Sequence, residues 1–291
     1  MKDLGEISYF LGISFKQGNG VIKMNQKRYI QKILDIFGMS NCKPRTIPCE
    51  QRFEGMSDSE QVDPRRYREI VGSLIYLMTC TRPDISWVVS KLSQKLSCPR
   101  LEDLVTTKHV LRYLKGSMEH ELCFRKCDGE LNLIAYTDAD WASSLHDRHS
   151  TTGYCFSLTE NGPPILWKSK KQPTIALSTC EAEYVSLAAT SQESLYLMQL
   201  LNSMDSKIYT CTRIYEDNQG AIALSKNLVS RQRCKHIDIK YHFLREVLIG
   251  GKIDIVYCQT EHMVADILTK RATKVKLDRF RPILFGYNPC D

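Results

Sequence analysis

The first fifty residues of the chain alternate between apolar and polar side chains. Residues 7–15 keep a period of two, which predicts a β-strand. The turn formers at 18–20 follow, and residues 21–24 predict the returning strand of a hairpin. From Tyr29 to Phe37 the apolar positions recur every three or four residues. This spacing is typical of one face of a short helix, which we expect to end near Gly38.

The spacing of the apolar residues changes twice further along the chain. Residues 41–64 hold prolines, a glycine and several charges, and they predict a linker. Between about 64 and 126, three runs of apolar residues at helical spacing predict three helices. From about residue 130, strand-like segments, a long helical segment and then alternating strands and helices predict a mixed sheet with helices packed on it. We therefore expect segments at 1–50, 51–63 (a linker), 64–126, 127–271 and 272–291 (a basic tail).

Composition narrows the functional classes. Of the 291 residues, 40 are Lys or Arg and 33 are Asp or Glu, which gives a formal net charge of +7. This mild basic excess is compatible with a polyanionic partner and equally with simple solubility. No window approaches the ~18–20 apolar residues of a membrane span, so we expect no membrane partner. The 12 cysteines are scattered without a CxxC pair, which favours a reducing, intracellular compartment.

Four acidic residues stand at the ends of predicted elements or among apolar neighbours. Asp138 and Asp217 each follow a buried strand, Glu183 lies near the start of the long helix, and Asp266 has two apolar residues on each side. Buried carboxylates are costly unless they are paired or bind a cation, and Mg²⁺ prefers such oxygen ligands. Two cations ~3.5–4 Å apart suit an in-line displacement at phosphorus. A single strand-end aspartate is usually a cap or a solvated turn residue, so the hypothesis depends on the four together.

Ordered motifs run through nearly the whole chain. They include YREIVGSLIY at 67–76, TRPDI at 81–85, LRYLKG at 111–116, YTDADWA at 136–142, ALSTCEAEY at 176–184, EDNQ at 216–219 and ADILTK at 265–270. Together they resemble the C-terminal part of the Pol polyprotein of copia-type LTR retrotransposons. The resemblance assigns 1–50 to the end of the reverse transcriptase, 64–126 to its connecting helices and 127–271 to its ribonuclease H domain.

The resemblance implies an α/β fold of the ribonuclease H type. Its mixed five-stranded sheet with flanking helices would be preceded by a small β-hairpin and helix and by the helical connection region. The resemblance also implies two Mg²⁺ ions, with Mn²⁺ as a substitute. The implied catalytic and metal-binding residues are Asp138, Glu183, Asp217 and Asp266. Glu183 is preferred to Glu181 by the Ala-Glu-Tyr match, although helical periodicity leaves both open, and Asp140 is the alternative to Asp138.

A nuclease of this kind must also hold a nucleic-acid backbone, which requires cations and small hydrogen-bonding side chains. The expected contacts are Lys168, Lys170, Lys171, Gln172, Ser178, Asn218, Gln219, Arg231, Arg233 and Lys235. The lysines are equally typical of a solvated strand edge, and Ser178 also fits a helix cap. We expect structural roles for His236 and His242. His262 lies only four residues before Asp266, so we expect no role for it in product release.

These expectations describe an endoribonuclease that hydrolyses the RNA strand of RNA–DNA hybrids. Its partners would be the hybrid and the remainder of the Pol polyprotein, in a cytoplasmic particle or the nucleus. The polymerase signature Tyr-x-Asp-Asp is absent from the sequence, so we expect no reverse transcriptase activity. One alternative is a non-catalytic, truncated retrotransposon remnant that at most binds nucleic acid. Another is a two-metal nuclease of different specificity on the same scaffold.

Overall fold

The computed structural model divides the chain into two compact units. It describes residues 5–50, 59–127, 129, 131–144, 146–204, 209–226 and 235–287, without the side chains of 235–238 and 241. The first unit comprises the described residues of 1–128, 161–163 and 271–291. The second unit comprises those of 129–160 and 164–270. In the described part of the chain, no helix is long and apolar enough to cross a membrane.

A small antiparallel sheet opens the first unit. Its strands, in spatial order, are β1 (Tyr9–Phe10), β2 (Ile13–Gly18), β3 (Val21–Asn25) and β4 (Leu122–Arg125). The single strand expected at 7–15 is wrong, because Leu11 and Gly12 adopt positive φ angles of 48° and 78° and turn the chain between β1 and β2. Period-two spacing cannot reveal such a turn, since the alternation continues through it.

Helices make up the rest of the first unit. Four of them are α1 (Lys27–Ile36), α2 (Pro64–Cys80), α3 (Ser86–Ser93) and α4 (Leu101–Gly116). Another, α9 (Lys274–Phe285), follows the helices α5 to α8 of the second unit along the chain. Helix α9 lies where a basic tail was expected. It buries Leu277, Phe280 and Leu284 at helical spacing between its charged residues, so this segment belongs to the packed first unit.

A buried ion pair lies at the centre of the first unit. The Arg82 guanidinium donates to both carboxylate oxygens of Asp84, at 2.9 and 2.7 Å, and to the backbone carbonyl of Ser117 at 3.1 Å. The Tyr113 hydroxyl also donates to Asp84, at 2.5 Å. The Arg82 guanidinium stands over the rings of Tyr113 and Phe285. The TRPDI motif therefore connects α4 and α9 through fully buried polar groups.

The second unit contains a five-stranded mixed sheet. Its strands are β5 (Ile134–Asp140), β6 (Thr151–Ser157), β7 (Leu166–Lys171), β8 (Thr212–Glu216) and β9 (Ile253–Tyr257), in the spatial order β7-β6-β5-β8-β9. Strands β5, β6 and β7 pair antiparallel, and β8 and β9 continue the sheet parallel to β5. The helices are α5 (Thr179–Met204), α6 (Gln219–Lys226), α7 (Lys235–Ile249) and α8 (Asp266–Thr269). This confirms the predicted α/β class, with a mixed five-stranded sheet and flanking helices.

Polar side chains fix the position of α5 against β5. The buried hydroxyls of Thr137 and Ser186 are 2.8 Å apart, and the Thr190 hydroxyl donates to that of Thr137 over 2.8 Å. The Ser186 hydroxyl also donates to the backbone carbonyl of Asp138 at 2.9 Å. Since Glu183 lies one helical turn before Ser186, these bonds place its carboxylate at the level of Asp138.

Candidate functional site

Two neighbouring parallel strands bring Asp138 and Asp217 together. Tyr136 on β5 is paired with Tyr215 on β8, and each aspartate lies two residues further along its own strand direction. Parallel strands end at the same edge of a sheet, so the two side chains emerge side by side. Asp217 is half-buried, and its Oδ2 accepts a hydrogen bond of 2.7 Å from the Thr260 hydroxyl.

Asp138 is the most constrained of the four predicted carboxylates in its contacts. It is 2% exposed, accepts a short hydrogen bond from the Thr269 hydroxyl, and lies 4.0 Å from the Lys270 ammonium. Burial raises the pKa of Asp138 to about 6, against the opposing effects of Lys270 and Thr269. The surroundings of Asp138 therefore favour its neutral form more than water does.

Glu183 points from α5 into the same space. Its Oε2 is buried and has no hydrogen-bond partner among the described residues. Burial first, and then the negative charges of Glu216, Asp138 and Asp217, raise the pKa of Glu183 to about 11. Among the described residues, Asp138, Glu183 and Asp217 each offer an oxygen, and these oxygens all lie within 4.8 Å of one another.

Two of the sequence alternatives occupy other positions. Glu181 accepts a hydrogen bond of 2.9 Å from the backbone amide of Leu177, while Ser178 accepts one of 3.2 Å from the backbone amide of Glu181. This reciprocal arrangement caps the start of α5 and leaves Glu183 as the glutamate of the cluster. Asp140 lies at the end of β5 and does not belong to the group of converging oxygens among the described residues.

Asp266 is brought near the site by α8. It is 1% exposed, and its Oδ1 lies 2.7 Å from the Lys270 ammonium. Among the described acidic residues, Asp266 is outside the group of three whose oxygens converge, although its charge contributes to raising the pKa of Asp138. Helix α8 packs on β6 at Gly153, where an added Cβ would lie 2.6 Å from Thr269 Cγ2. A glycine in the STTGY segment is therefore required for α8 to reach this position.

A fifth carboxylate, Glu216, was missed by the sequence analysis. It is fully buried at the end of β8, its Oε1 accepts from the backbone amide of Asn218 at 3.0 Å, and its Oε2 has no partner among the described residues. Burial raises its pKa well above the ordinary value, with the Asp217 and Asp138 charges adding to the effect. Strand alternation is the sequence signal that indicates this burial. Glu216 lies two residues after the buried Ile214 and therefore on the same side of the sheet.

The donor set fits a hard divalent cation. All of the converging ligands are carboxylate oxygens, and Glu183 and Glu216 each keep a buried oxygen without a hydrogen-bond donor among the described residues. Oxygen ligands of this kind suit Mg²⁺, and a cation would remove the repulsion that raises these pKa values.

The predicted lysines line a groove between β7 and α5. Lys168 and Lys170 are exposed and lie opposite Tyr154 and Thr152 of β6. The groove has a volume of about 510 Å³, and α7 contributes Lys240 to its lining. Lys171 also lines it, and its ammonium forms a short ion pair with Asp147. The wall that α5 contributes is mostly apolar and also carries the carboxylate of Glu193. The lysines of the groove are compatible with contacts to a phosphate backbone.

The remaining predicted contacts have varied environments. Gln172 is buried, and its amide donates to the Thr152 hydroxyl at 3.0 Å and to the Ala182 carbonyl at 2.9 Å, so it connects β6 to α5. The Asn218 side chain accepts from the backbone amide of Ala221 at 3.0 Å and thereby caps α6. Gln219 is exposed in the first turn of α6.

Some predictions fall outside the described residues. They are the contacts expected from Arg231 and Arg233 and from the side chains of Lys235 and His236. His242 is exposed on α7, and His262 is exposed in a short 3₁₀ turn before α8. Among the described residues, neither histidine belongs to the group of side chains that could hold a metal ion.

Comparison with known proteins reveals extensive sequence similarity. A family model described as reverse transcriptase (RNA-dependent DNA polymerase) matches residues 1–51. The retrovirus-related Pol polyprotein from transposon RE1 of Arabidopsis thaliana is 40% identical over 282 residues, which cover 96% of this chain and 19% of that protein. The corresponding polyprotein from transposon TNT 1-94 of Nicotiana tabacum is 36% identical over 293 residues, which cover 96% of this chain and 21% of that protein.

Among solved structures, RNase H1 from the halophilic archaeon Halobacterium salinarum is similar at 16% sequence identity. The alignment has a TM-score of 0.36 and covers 51% of this chain and 98% of that chain. The chain spans about a fifth of the length of the curated relatives described above.

Proposed function

Because the chain belongs to the family of retrovirus-related Pol polyproteins of copia-type retrotransposons, we propose that its second unit is a ribonuclease H domain. It hydrolyses the RNA strand of RNA–DNA hybrids and works with two Mg²⁺ ions, for which Mn²⁺ can substitute. The observation that carries the proposal is the convergence of oxygens from Asp138, Glu183 and Asp217 within 4.8 Å. These residues come from β5, from the end of β8 and from α5, which are far apart in the sequence.

The proposed roles follow from the local contacts. Asp138 and Asp217 would hold the cations from adjacent strands, Glu183 would add a ligand from α5, and Asp266 would complete the set from α8. Thr269 orients Asp138 by its hydrogen bond, and the buried Glu216 adds a further carboxylate near the site. Two bound cations would supply the activation of a water and the stabilisation of the leaving oxygen in an in-line displacement at phosphorus.

We propose that the nucleic-acid substrate binds in the groove between β7 and α5. Lys168 and Lys170 there are exposed and free to contact phosphates, while Lys240 adds a third cation from α7. Gln172 supports this surface through its hydrogen bond to α5, and Asn218 caps α6. The remaining Pol polyprotein is the proposed partner of the first unit, whose residues 1–51 match the reverse transcriptase family model. We also propose the segments 1–50, 51–63, 64–126, 127–271 and 272–291 as the divisions of the chain.

Digestion of a labelled RNA–DNA hybrid tests the proposed activity. Asp217→Asn is expected to lower the cleavage rate at least about 100-fold, because it removes a charged metal ligand. Asp254→Asn is the matched control, since Asp254 is exposed on β9 and outside the group of converging oxygens among the described residues. Equal cleavage by the wild type and Asp217→Asn would refute the assignment. A wild type that binds the hybrid without cutting it would favour the non-catalytic remnant.

A further inference from the structure

Lys270 places a positive charge inside the acidic cluster. It follows α8 directly, one helical turn after Asp266, and its ammonium lies 2.7 Å from Asp266 Oδ1 and 4.0 Å from Asp138 Oδ2. The side chain is 39% exposed, so it reaches the two buried carboxylates from the surface. One flexible cation thus contacts carboxylates from two elements, β5 and α8.

The two carboxylates need such a partner. Asp138 and Asp266 are each at most 2% exposed, and buried anions are costly unless an opposite charge compensates them. The Thr269 hydroxyl contributes a hydrogen bond to Asp138 but no charge. Lys270 therefore supplies positive charge to this side of the cluster.

We propose that Lys270 is an internal counter-cation that competes with the divalent cation on the Asp266 side of the site. Its ammonium holds Asp138 and Asp266 together before a metal ion binds, and it releases Asp266 Oδ1 when one does. This inference deepens the proposed function and rests on it. Asp266 Oδ1 and Asp138 Oδ2 are the oxygens that Lys270 reaches, so a divalent cation that takes both must displace the ammonium or share them with it.

The competition has two opposite consequences when the lysine is removed. The metal-free protein loses the charge that offsets Asp138 and Asp266, so its melting temperature falls. The divalent cation loses a competitor and a repelling charge, so it binds more tightly. A lysine with a merely structural role would give the first effect without the second.

Magnesium titration of the full chain, followed by thermal unfolding and without nucleic acid, tests the proposal. Ligand binding to the folded state raises the melting temperature, so the titration gives a half-saturating concentration. In Lys270→Met this concentration is expected to be at least about threefold lower than in the wild type, as for loss of a partly exposed ion pair. Lys252→Met removes the same charge from an exposed turn before β9 and should leave the value unchanged. An equal or higher value in Lys270→Met overturns the proposal.

Two further variants keep the test decisive. Lys270→Arg retains the charge and should titrate like the wild type, whereas Lys270→Gln retains a donor without the charge and should resemble Lys270→Met. Lys270→Gln also replaces Lys270→Met if the latter does not fold without Mg²⁺. If Mg²⁺ fails to stabilise the wild type, a response gained in Lys270→Gln supports the competition, and no response in either overturns it.

The experiment separates this proposal from the proposed nuclease activity. Binding is measured without any hybrid, so a shifted titration stands even if the hybrid is not cut. Conversely, a wild type that cuts the hybrid but titrates identically to Lys270→Met overturns only the role of Lys270. In an Asp266→Asn background, the change that Lys270→Met makes in the half-saturating Mg²⁺ concentration should shrink by at least half. The reason is that the side chain of residue 266, for which the ammonium and the divalent cation compete, no longer carries a charge.

Discussion

Gly153→Ala tests whether the contact between β6 and α8 sets the geometry of the acidic cluster. Gly153 is paired with Asp138 across the sheet, and α8 lies against it. An added Cβ would lie 2.6 Å from Thr269 Cγ2, 2.9 Å from Leu268 Cβ and 3.1 Å from the Ala265 carbonyl oxygen. Since carbon atoms pack at about 3.5–4.0 Å, α8 must retreat by roughly 1 Å.

The retreat has an energetic and a functional cost. Overpacking of this kind lowers the free energy of unfolding by about 1–3 kcal/mol. It also moves Thr269 and Asp266 away from Asp138, which weakens the hydrogen bond that orients this carboxylate. We therefore expect both a less stable protein and a weaker stabilisation by Mg²⁺.

Urea unfolding with and without Mg²⁺ measures both effects. Gly72→Ala is the control, because Gly72 lies in α2 and a Cβ there would have no heavy atom within 4 Å. That substitution should be neutral or stabilising by up to about 1 kcal/mol, since alanine favours a helix interior. If Gly153→Ala retained both the wild-type unfolding free energy and the wild-type Mg²⁺ response, the proposed constraint on α8 would be refuted.

Three further predictions concern other parts of the molecule. Arg82→Met should lower the free energy of unfolding in urea by about 3–5 kcal/mol, because it leaves a buried carboxylate without its cation. Arg65→Met, at an exposed ion pair, should cost less than about 1 kcal/mol, and equal losses would contradict the burial argument. Burial lowers the pKa of His120 to about 4, so the unfolded state takes up a proton first as the pH falls below about 6.5. The unfolding free energy should therefore fall by roughly 1–3 kcal/mol between pH 7 and pH 4, and His120→Gln should flatten this pH dependence. Lys168→Ala and Lys170→Ala should each weaken hybrid binding and reduce its salt dependence by about one counterion, whereas unchanged slopes in filter binding would favour a solvated strand edge.

Local periodicity was sufficient to predict much of the second unit. Strand β8 ends directly before Asp217, as the apolar pattern predicts, and the long helix carries Glu183 near its start, whereas β5 continues past Asp138 to Asp140. Parallel pairing then follows from the helical connection between the strands, which is why two distant aspartates could be expected at one edge. The choice between Glu183 and Glu181 needed the family motif, because both flank the apolar stripe.

Features that depend on tertiary packing were not predictable in the same way. Strand alternation indicates that Glu216 faces inward, but its full burial was not predicted, since glutamate is rarely buried without a partner. Gln172 follows two lysines and was expected at the surface, yet the turn into α5 directs it inward. Lys270 was not among the residues predicted for the site, and only the position of α8 brings its ammonium near Asp138.

The order of segments along the chain has a consequence for biosynthesis. The second unit is inserted between parts of the first, since α9 returns to the first unit after residue 270. Phe285 of α9 stands beside the guanidinium of Arg82, about two hundred residues earlier in translation. A ribosome must therefore release the chain through Phe285 before the first unit can finish folding, whereas the inserted unit has all of its own strands and helices once Lys270 is out. The inserted unit is thus complete before the unit whose segments flank it.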